Sequence, residues 1–437
     1  MKRDSLGFWM AIALVMGNMV GSGVFLLPSS LAAFGGLSLA GWMASTVGAT
    51  CLALVFARLA RMEPAAGGPY AYTRKAFGDL PAFLVAWGYW ISTWGTLAAL
   101  AVAGVGYLDP FFPTLVRTPA LAALLAIAVV WLLTMVNVAG VRRAGQVQVV
   151  TTVLKLLPLI VVGIGGLFFL APPHFAIHAT SLGDAAGQVT QTATLTLWAF
   201  LGLEAATIPA DTIANPERTI PRATVVGTLL AATIYMISTV GVMSLVPPAV
   251  LATSTAPFAD GARALLGNPA ANLVAIGAAI SCFGALNGWT LVVGQLPLAV
   301  ARDGLFPEFF SRVSPRGTPV AGMVLAAVLA SALIAMNYTR GLVELFTFII
   351  LLSTLSTLVP YVFSALAVFR IVDPAAPVGA GGTARARLPA MVKAFASLAF
   401  AYGLWAIGGA GQETVYWGFL LLMSGLPVFV WVTRNRV

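Results

Sequence analysis

Residues 5–57 contain no Asp, Glu, Lys or Arg. A water-soluble domain carries about 25% charged residues, so a run of this length does not belong on a solvated surface. A membrane-crossing helix needs about 20 apolar residues, and the run holds two, joined at the Phe34-Gly35-Gly36 turn. The pattern recurs: further charge-free intervals are 80–108, 118–141, 156–183, 185–203, 223–259, 264–301, 317–339, 345–369, 394–412 and 414–433. Only 8% of the 437 residues are charged and 60% are hydrophobic, which excludes a soluble globular domain, a disordered chain and a coiled coil. The intervals predict an all-α integral membrane protein of twelve transmembrane helices. The expected cores are 7–33, 37–60, 80–107, 119–140, 146–170, 188–213, 222–246, 266–300, 319–338, 343–369, 389–410 and 414–433.

The net charge of +9 does not indicate nucleic acid, because its distribution follows topology. With the N-terminus placed in the cytoplasm, 19 of the 23 Lys and Arg fall on inner segments. Arg117, Arg263 and Arg340 fall outside, and Lys155 lies within a span. That asymmetry is the positive-inside rule. It predicts both termini on the cytoplasmic side of the cell inner membrane. The basic start, Met1-Lys2-Arg3, heads an apolar run too long for a signal peptide and is read as leading into the first span. Cys51 and Cys282 sit in apolar runs and read as small hydrophobes. His174 and His178 read as residues of a solvated outer loop. Asp211 and Glu344 read as helix-end residues at an interface or cap. No metal-ligand cluster, phosphate-binding loop or nucleophile–base pair is present, so no metal, no cofactor and no enzymatic chemistry are expected.

Two spans are interrupted. The first contains Gly17-Asn18-Met19-Val20-Gly21-Ser22-Gly23-Val24-Phe25, with three glycines in mid-span that disfavour continuous helix. Unwound backbone at membrane depth is tolerated where it lines a cavity or is buried in protein; alternatively, Gly17 and Gly21, four apart, form a small-residue packing face. The sixth span contains Trp198-Ala199-Phe200-Leu201-Gly202-Leu203-Glu204 followed by Pro209. Interrupted spans at matching places in two five-helix halves point to a transporter binding site. The N-termini of half-helices suit a carboxylate and unwound carbonyls suit an ammonium, so the pair fits the head group of an α-amino acid.

The segment Gly17–Pro28 resembles the first helix of the amino acid–polyamine–organocation superfamily, in particular its arginine/agmatine and polyamine antiporter branch. Gly67-Gly68-Pro69-Tyr70-Ala71-Tyr72 resembles that family's loop after helix 2, and Asn215-Pro216-Glu217-Arg218-Thr219-Ile220-Pro221 its loop after helix 6. Gly288-Trp289-Thr290 and Thr357-Leu358-Val359-Pro360-Tyr361 fit its helices 8 and 10. The resemblance covers nearly the whole chain. It implies a LeuT-like 5+5 inverted repeat with broken helices 1 and 6. Residues 1–370 then form the transport core, 371–387 a cytoplasmic loop, and 388–437 helices 11 and 12.

Carried over residue by residue, the resemblance gives Ser22 and Gly23 the substrate carboxylate. It gives the carbonyls of Met19, Trp198 and Leu201 the α-ammonium. Trp198 and Trp289 lie against the substrate side chain, and Ser92, Thr93 and Ser353 face its distal end. Tyr89, Glu204 and Tyr361 form an inner gate, and Tyr70 belongs to the cytoplasmic gate. The chain departs from the arginine/agmatine pattern at Leu97 and Leu100, which replace an Asn and a Met and make the distal pocket more apolar. Lys155, in a Lys-Leu-Leu context, resembles the lysine of another branch that stands in for a sodium ion; snorkelling to the interface is its other reading. Glu204 reads either as a titrating gate or as a structurally satisfied carboxylate.

These features imply a secondary active transporter that exchanges a cationic amino acid for its decarboxylated amine, in an arginine/agmatine-like antiport. The alternative is a proton-linked or exchange transporter of neutral amino acids. The expected partners are small amino acid or amine substrates and the lipid bilayer, with room for a homodimer.

Overall fold

A computed structural model describes residues 7–63, 67–138, 156–204, 207, 213–315, 317–371 and 388–434. Lys155, Pro209, Asp211 and the expected loop 371–387, Ile371 excepted, lie outside the described residues. The described chain is helical throughout. Its principal helices are α1 (Phe8–Met19), α2 (Ser22–Leu31), α3 (Leu37–Met62), α4 (Pro69–Phe77), α5 (Asp79–Gly106) and α6 (Pro119–Val138). They continue as α7 (Leu156–Leu167), α8 (Leu182–Leu197), α9 (Pro216–Leu245), α10 (Pro257–Leu266), α11 (Asn268–Arg302) and α12 (Val320–Asn337). The last four are α13 (Leu342–Ala367), α14 (Ala390–Gly408), α15 (Gln412–Met423) and α16 (Gly425–Thr433).

Among the described residues, 8 helices are long and apolar enough to cross a membrane, counting α15 and α16 as one continuous span. The first expected span is divided into α1 and α2, each too short to cross alone. The 28-residue α5 is long enough but is not among the eight. Trp, Tyr, Ser, Thr and Gly fill its middle, and nearly all of it is buried within protein. A helix surrounded by helices is not required to be greasy on every face, and α5 uses that freedom to carry polar groups into the interior.

α5 packs against α11 and α13, α3 packs against α8, α9 and α14, and α1 lies on α9. The α15–α16 span is the most peripheral, with 11% of its best apolar window buried. Exposed Leu124 and Leu132 on α6, Leu273 on α11 and Phe419 on α15 face outward, where hydrocarbon rather than water is the favourable solvent.

Two expected loops begin helices instead. Pro69 starts α4 and Pro216 starts α9, six residues before the expected boundary. Proline is suited to the first helical position because its fixed φ matches and its missing N–H is not needed there. The preceding residues make the turn: Gly68 has φ +52° and Asn215 φ +47°. His174 also differs from the expected solvated loop. Its ring bonds the carbonyl of Met243 through Nδ1 at 2.9 Å, and the Phe175 carbonyl accepts the N–H of Gly36 at 3.2 Å. That loop is docked on the helices; His178 is exposed.

Candidate substrate site between the helix breaks

α1 ends at Met19, Val20 and Gly21 are extended, and α2 begins at Ser22. No side chain caps α2. The first N–H groups of a helix have no partner within it and form its positive end. The Ser22 hydroxyl at this end is buried and has no hydrogen-bond partner.

The second break stands opposite. α8 gives way to a tight turn at Trp198–Phe200, Leu201 is extended, and Gly202 has φ +103°. The Leu201 N–H donates to the Trp198 carbonyl at 3.1 Å, which leaves that oxygen a second lone pair. Glycine is needed at both contacts. A Cβ on Gly202 would lie 3.1 Å from Cβ of Asn18, and one on Gly23 would lie 2.9 Å from Cδ1 of Trp198. The same added Cβ atoms would lie 3.2 Å from the Asn18 carbonyl carbon and 3.1 Å from the Ala199 Cα, so the backbones on either side of the two breaks approach closely.

Between them lies a small cavity of about 20 Å³. It is lined by Asn18, Met19, Gly21, Ser22, Gly23, Thr96, Leu100, Trp198, Leu201 and Trp289. Small-molecule pockets run from about 300 to 1,000 Å³, so the walls are drawn together here and must part to admit a substrate. One end offers free N–H groups, the other end offers carbonyls, and two indoles form walls.

Beneath the sixth-helix break, Glu204 is fully buried. Tyr89 donates to its Oε1 at 2.6 Å and Tyr361 to its Oε2 at 2.7 Å. A charge at mid-membrane costs about 2.5–3.5 kcal/mol on insertion scales. Hydrogen bonds to a charged group return about 1.5–3 kcal/mol each, so the two phenols offset part of the cost of a charge here.

The sequence pattern of the family described as "Amino acid permease" matches residues 6–431. The chain belongs to the amino acid permease family. It is 36% identical over 378 residues, 84% of each chain, to a cadaverine/lysine antiporter of Escherichia coli strain K12. It is 30% identical over 436 residues to the putrescine transporter PotE of the same strain, which covers 98% of this chain and 96% of that one.

In this permease, the cavity brings together six of the residues singled out in the sequence: Met19, Ser22, Gly23, Trp198, Leu201 and Trp289. Ser92, Thr93, Leu97 and Ser353 are buried but do not line it. Ser92 pairs with Thr357, and Thr93 donates to the Trp90 carbonyl at 2.8 Å. The Ser353 hydroxyl is unpartnered and turned toward Gly95, where an added Cβ would collide with it. Sequence reasoning missed Asn18, Gly21 and Thr96 as lining residues, and noted Leu100 only as a departure from the family pattern. Thr96 and Leu100 follow Ser92 at steps of four, so helical periodicity on α5 was the signal available.

Tyr70 lies away from the cavity, on α4. It donates to Asp303 Oδ2 at 2.7 Å, and Arg74 reaches the same oxygen at 2.8 Å and Asp79 at 2.9 Å. Burial, then the hydrogen bond to Asp303, pushes the Tyr70 phenol above its ordinary range, so it remains a donor at physiological pH. Lys75 pairs with Glu63. The Asp303 contacts tie α4 to the end of α11, the Asp79 contact ties it to the start of α5, and the Lys75–Glu63 pair ties it to the end of α3.

Proposed function

We propose that this permease exchanges a cationic amino acid for its decarboxylated amine across the cell inner membrane, with lysine and cadaverine favoured over arginine and agmatine. The observation that carries this reading is the uncapped start of α2, with its unpartnered Ser22 hydroxyl, facing carbonyl-bearing unwound backbone across a small cavity. Such a cradle fits a carboxylate and an ammonium on one carbon. Trp198 and Trp289 then lie along the side chain and attract a cation by their ring faces. Glu204 supplies negative charge three residues beyond Leu201 and joins Tyr89 and Tyr361 as the inner gate, with the α4 contacts of Tyr70 as a cytoplasmic gate. Relatives named for lysine, cadaverine and putrescine support amine substrates, beside a Bacillus subtilis relative, 34% identical, that is named for arginine and ornithine, a guanidine and an amine.

The architecture we assign is twelve spans in a LeuT-like inverted repeat, with both termini cytoplasmic. In support, α1 packs on α9 as α8 packs on α3, the pairing that a two-fold relation between spans 1–5 and 6–10 generates. A second reading, exchange of neutral amino acids, draws on Leu100 in the cavity wall and Leu97 behind it.

The test is uptake of radiolabelled lysine, arginine and leucine into proteoliposomes, with and without internal cadaverine or agmatine. Internal amine should accelerate lysine uptake, with leucine a weak competitor. Preferred uptake of leucine, indifferent to internal amine, would establish the second reading.

A further inference from the structure

The substrate's distal group needs a partner, and no acidic side chain lines the cavity. The polar side chains that do are Asn18 and Ser22, beside the helix-1 break, and Thr96 on α5, with the two indoles. Thr96 stands on the face of α5 that runs through Tyr89, Ser92 and Leu100, spaced three and four residues apart, which places them along one side of a helix. Leu100 packs against the helix-1 break: a Cβ on Gly21 would lie 3.2 Å from its Cδ2. Tyr89, at the other end of the face, holds Glu204. Thr96 thus sits between the head-group cradle and the buried carboxylate, about 6 Å along the helix from Leu100 at 1.5 Å per residue.

The state of its hydroxyl decides what it can bind. Thr96 Oγ1 donates its single hydrogen to the Ser92 carbonyl at 2.8 Å. A hydroxyl has one hydrogen and two lone pairs, so towards the cavity Thr96 acts only as an acceptor. An acceptor-only oxygen among apolar and aromatic walls selects a donor-only group. A compact ammonium, with three donors and no acceptor, fits it. A planar guanidinium carries five donors in a fixed fork and leaves most of them unmet against one oxygen and a leucine.

We infer that Thr96 is a specificity-determining residue whose hydroxyl accepts a hydrogen bond from the substrate's distal ammonium, selecting primary-amine substrates over both neutral isosteres and guanidines. The inference rests on the cationic-substrate reading above.

The experiment compares lysine with norleucine, which has the same chain without the distal amine, and with arginine, as competitors for binding to the detergent-purified protein. The variants are Thr96→Val, which keeps the shape and removes the acceptor, and Thr96→Ser, which keeps the acceptor. The wild type should prefer lysine to norleucine. The Val variant should lose about ten- to hundredfold in lysine affinity, the loss expected for one hydrogen bond to a charged group, with norleucine affinity held; Ser should restore the preference. Retained norleucine binding shows that the variant is folded. An unchanged lysine-to-norleucine ratio in the Val variant overturns the role of Thr96 and leaves the cationic reading standing. A wild type that prefers norleucine overturns both.

Discussion

In the reading proposed above, two closures flank the helix breaks, and their chemistry differs. Towards α4, the closure is a buried carboxylate held by two phenols from α5 and α13. Towards α10, it is an aromatic cluster. Phe25 of α2 meets Tyr107 edge-on at 5.8 Å and Phe258 of α10 at 5.5 Å. The Tyr107 hydroxyl donates to the Phe25 carbonyl at 2.6 Å. Ser29 donates to the Ser254 carbonyl at 2.7 Å, and the Ser254 hydroxyl donates to Asp260 of α10 at 2.5 Å, which pairs with Arg263. In the proposed reading, the first closure depends on the charge of Glu204 and therefore on proton activity, and the second depends mainly on shape and hydrogen bonds, with the Asp260–Arg263 ion pair at its edge. An exchanger built this way would have one gate that responds to pH and to a cationic substrate, and one that responds to whether the cavity is filled.

That contrast assumes that both closures guard one site. Ser22→Lys places an ammonium where the substrate carboxylate is to sit, and should abolish binding while leaving the protein folded. Isothermal titration beside a thermal melt checks both, and unchanged affinity would remove the site from between the breaks.

Glu204→Gln keeps the shape of the Tyr89–Tyr361 bridge and removes its charge. It should slow exchange and flatten its pH dependence between about pH 4 and 7, the range over which protein carboxylates titrate. A mutant whose pH profile matches the wild type would return Glu204 to a structural role and erase the difference between the two closures.

Tyr107→Phe should have the smallest effect. It keeps the ring packing and loses two neutral hydrogen bonds, the short one to the Phe25 carbonyl and a longer one from the Phe258 N–H, together worth about 1–2 kcal/mol, a factor of roughly five to thirty in the closing equilibrium. Exchange rates should change by that order at every pH. A pH-dependent loss would mean that the α10 side also carries charge control.

Much of this was legible in the sequence because membrane burial leaves large signals. Charge-free intervals located the helices, and glycines at mid-span located the break between Met19 and Ser22. The meeting of Tyr89, Glu204 and Tyr361 required the family pattern, since residues so far apart in sequence carry no local sign of contact. What escaped was of two kinds. Pro69 and Pro216 were read as loop punctuation, although proline is equally at home in a first helical turn. Thr96 was passed over because one threonine in a polar-dotted helix is unremarkable until the cavity shows which face is turned inward. Leu97 and Leu100 were both expected to make the distal pocket apolar; Leu100 lines the cavity and Leu97, three residues before it, does not.

The central claim is exchange of an amino acid for the amine left by its decarboxylation. Losing the carboxylate leaves the amine one positive charge richer, so one-for-one exchange carries a net charge across the membrane. The direct measurement is uptake of labelled lysine into cadaverine-loaded proteoliposomes clamped at opposite membrane potentials. Uptake should depend on internal cadaverine and run faster with the interior positive, because a divalent amine leaves as a monovalent amino acid enters. Lysine uptake that ignores both the internal amine and the potential would contradict the account.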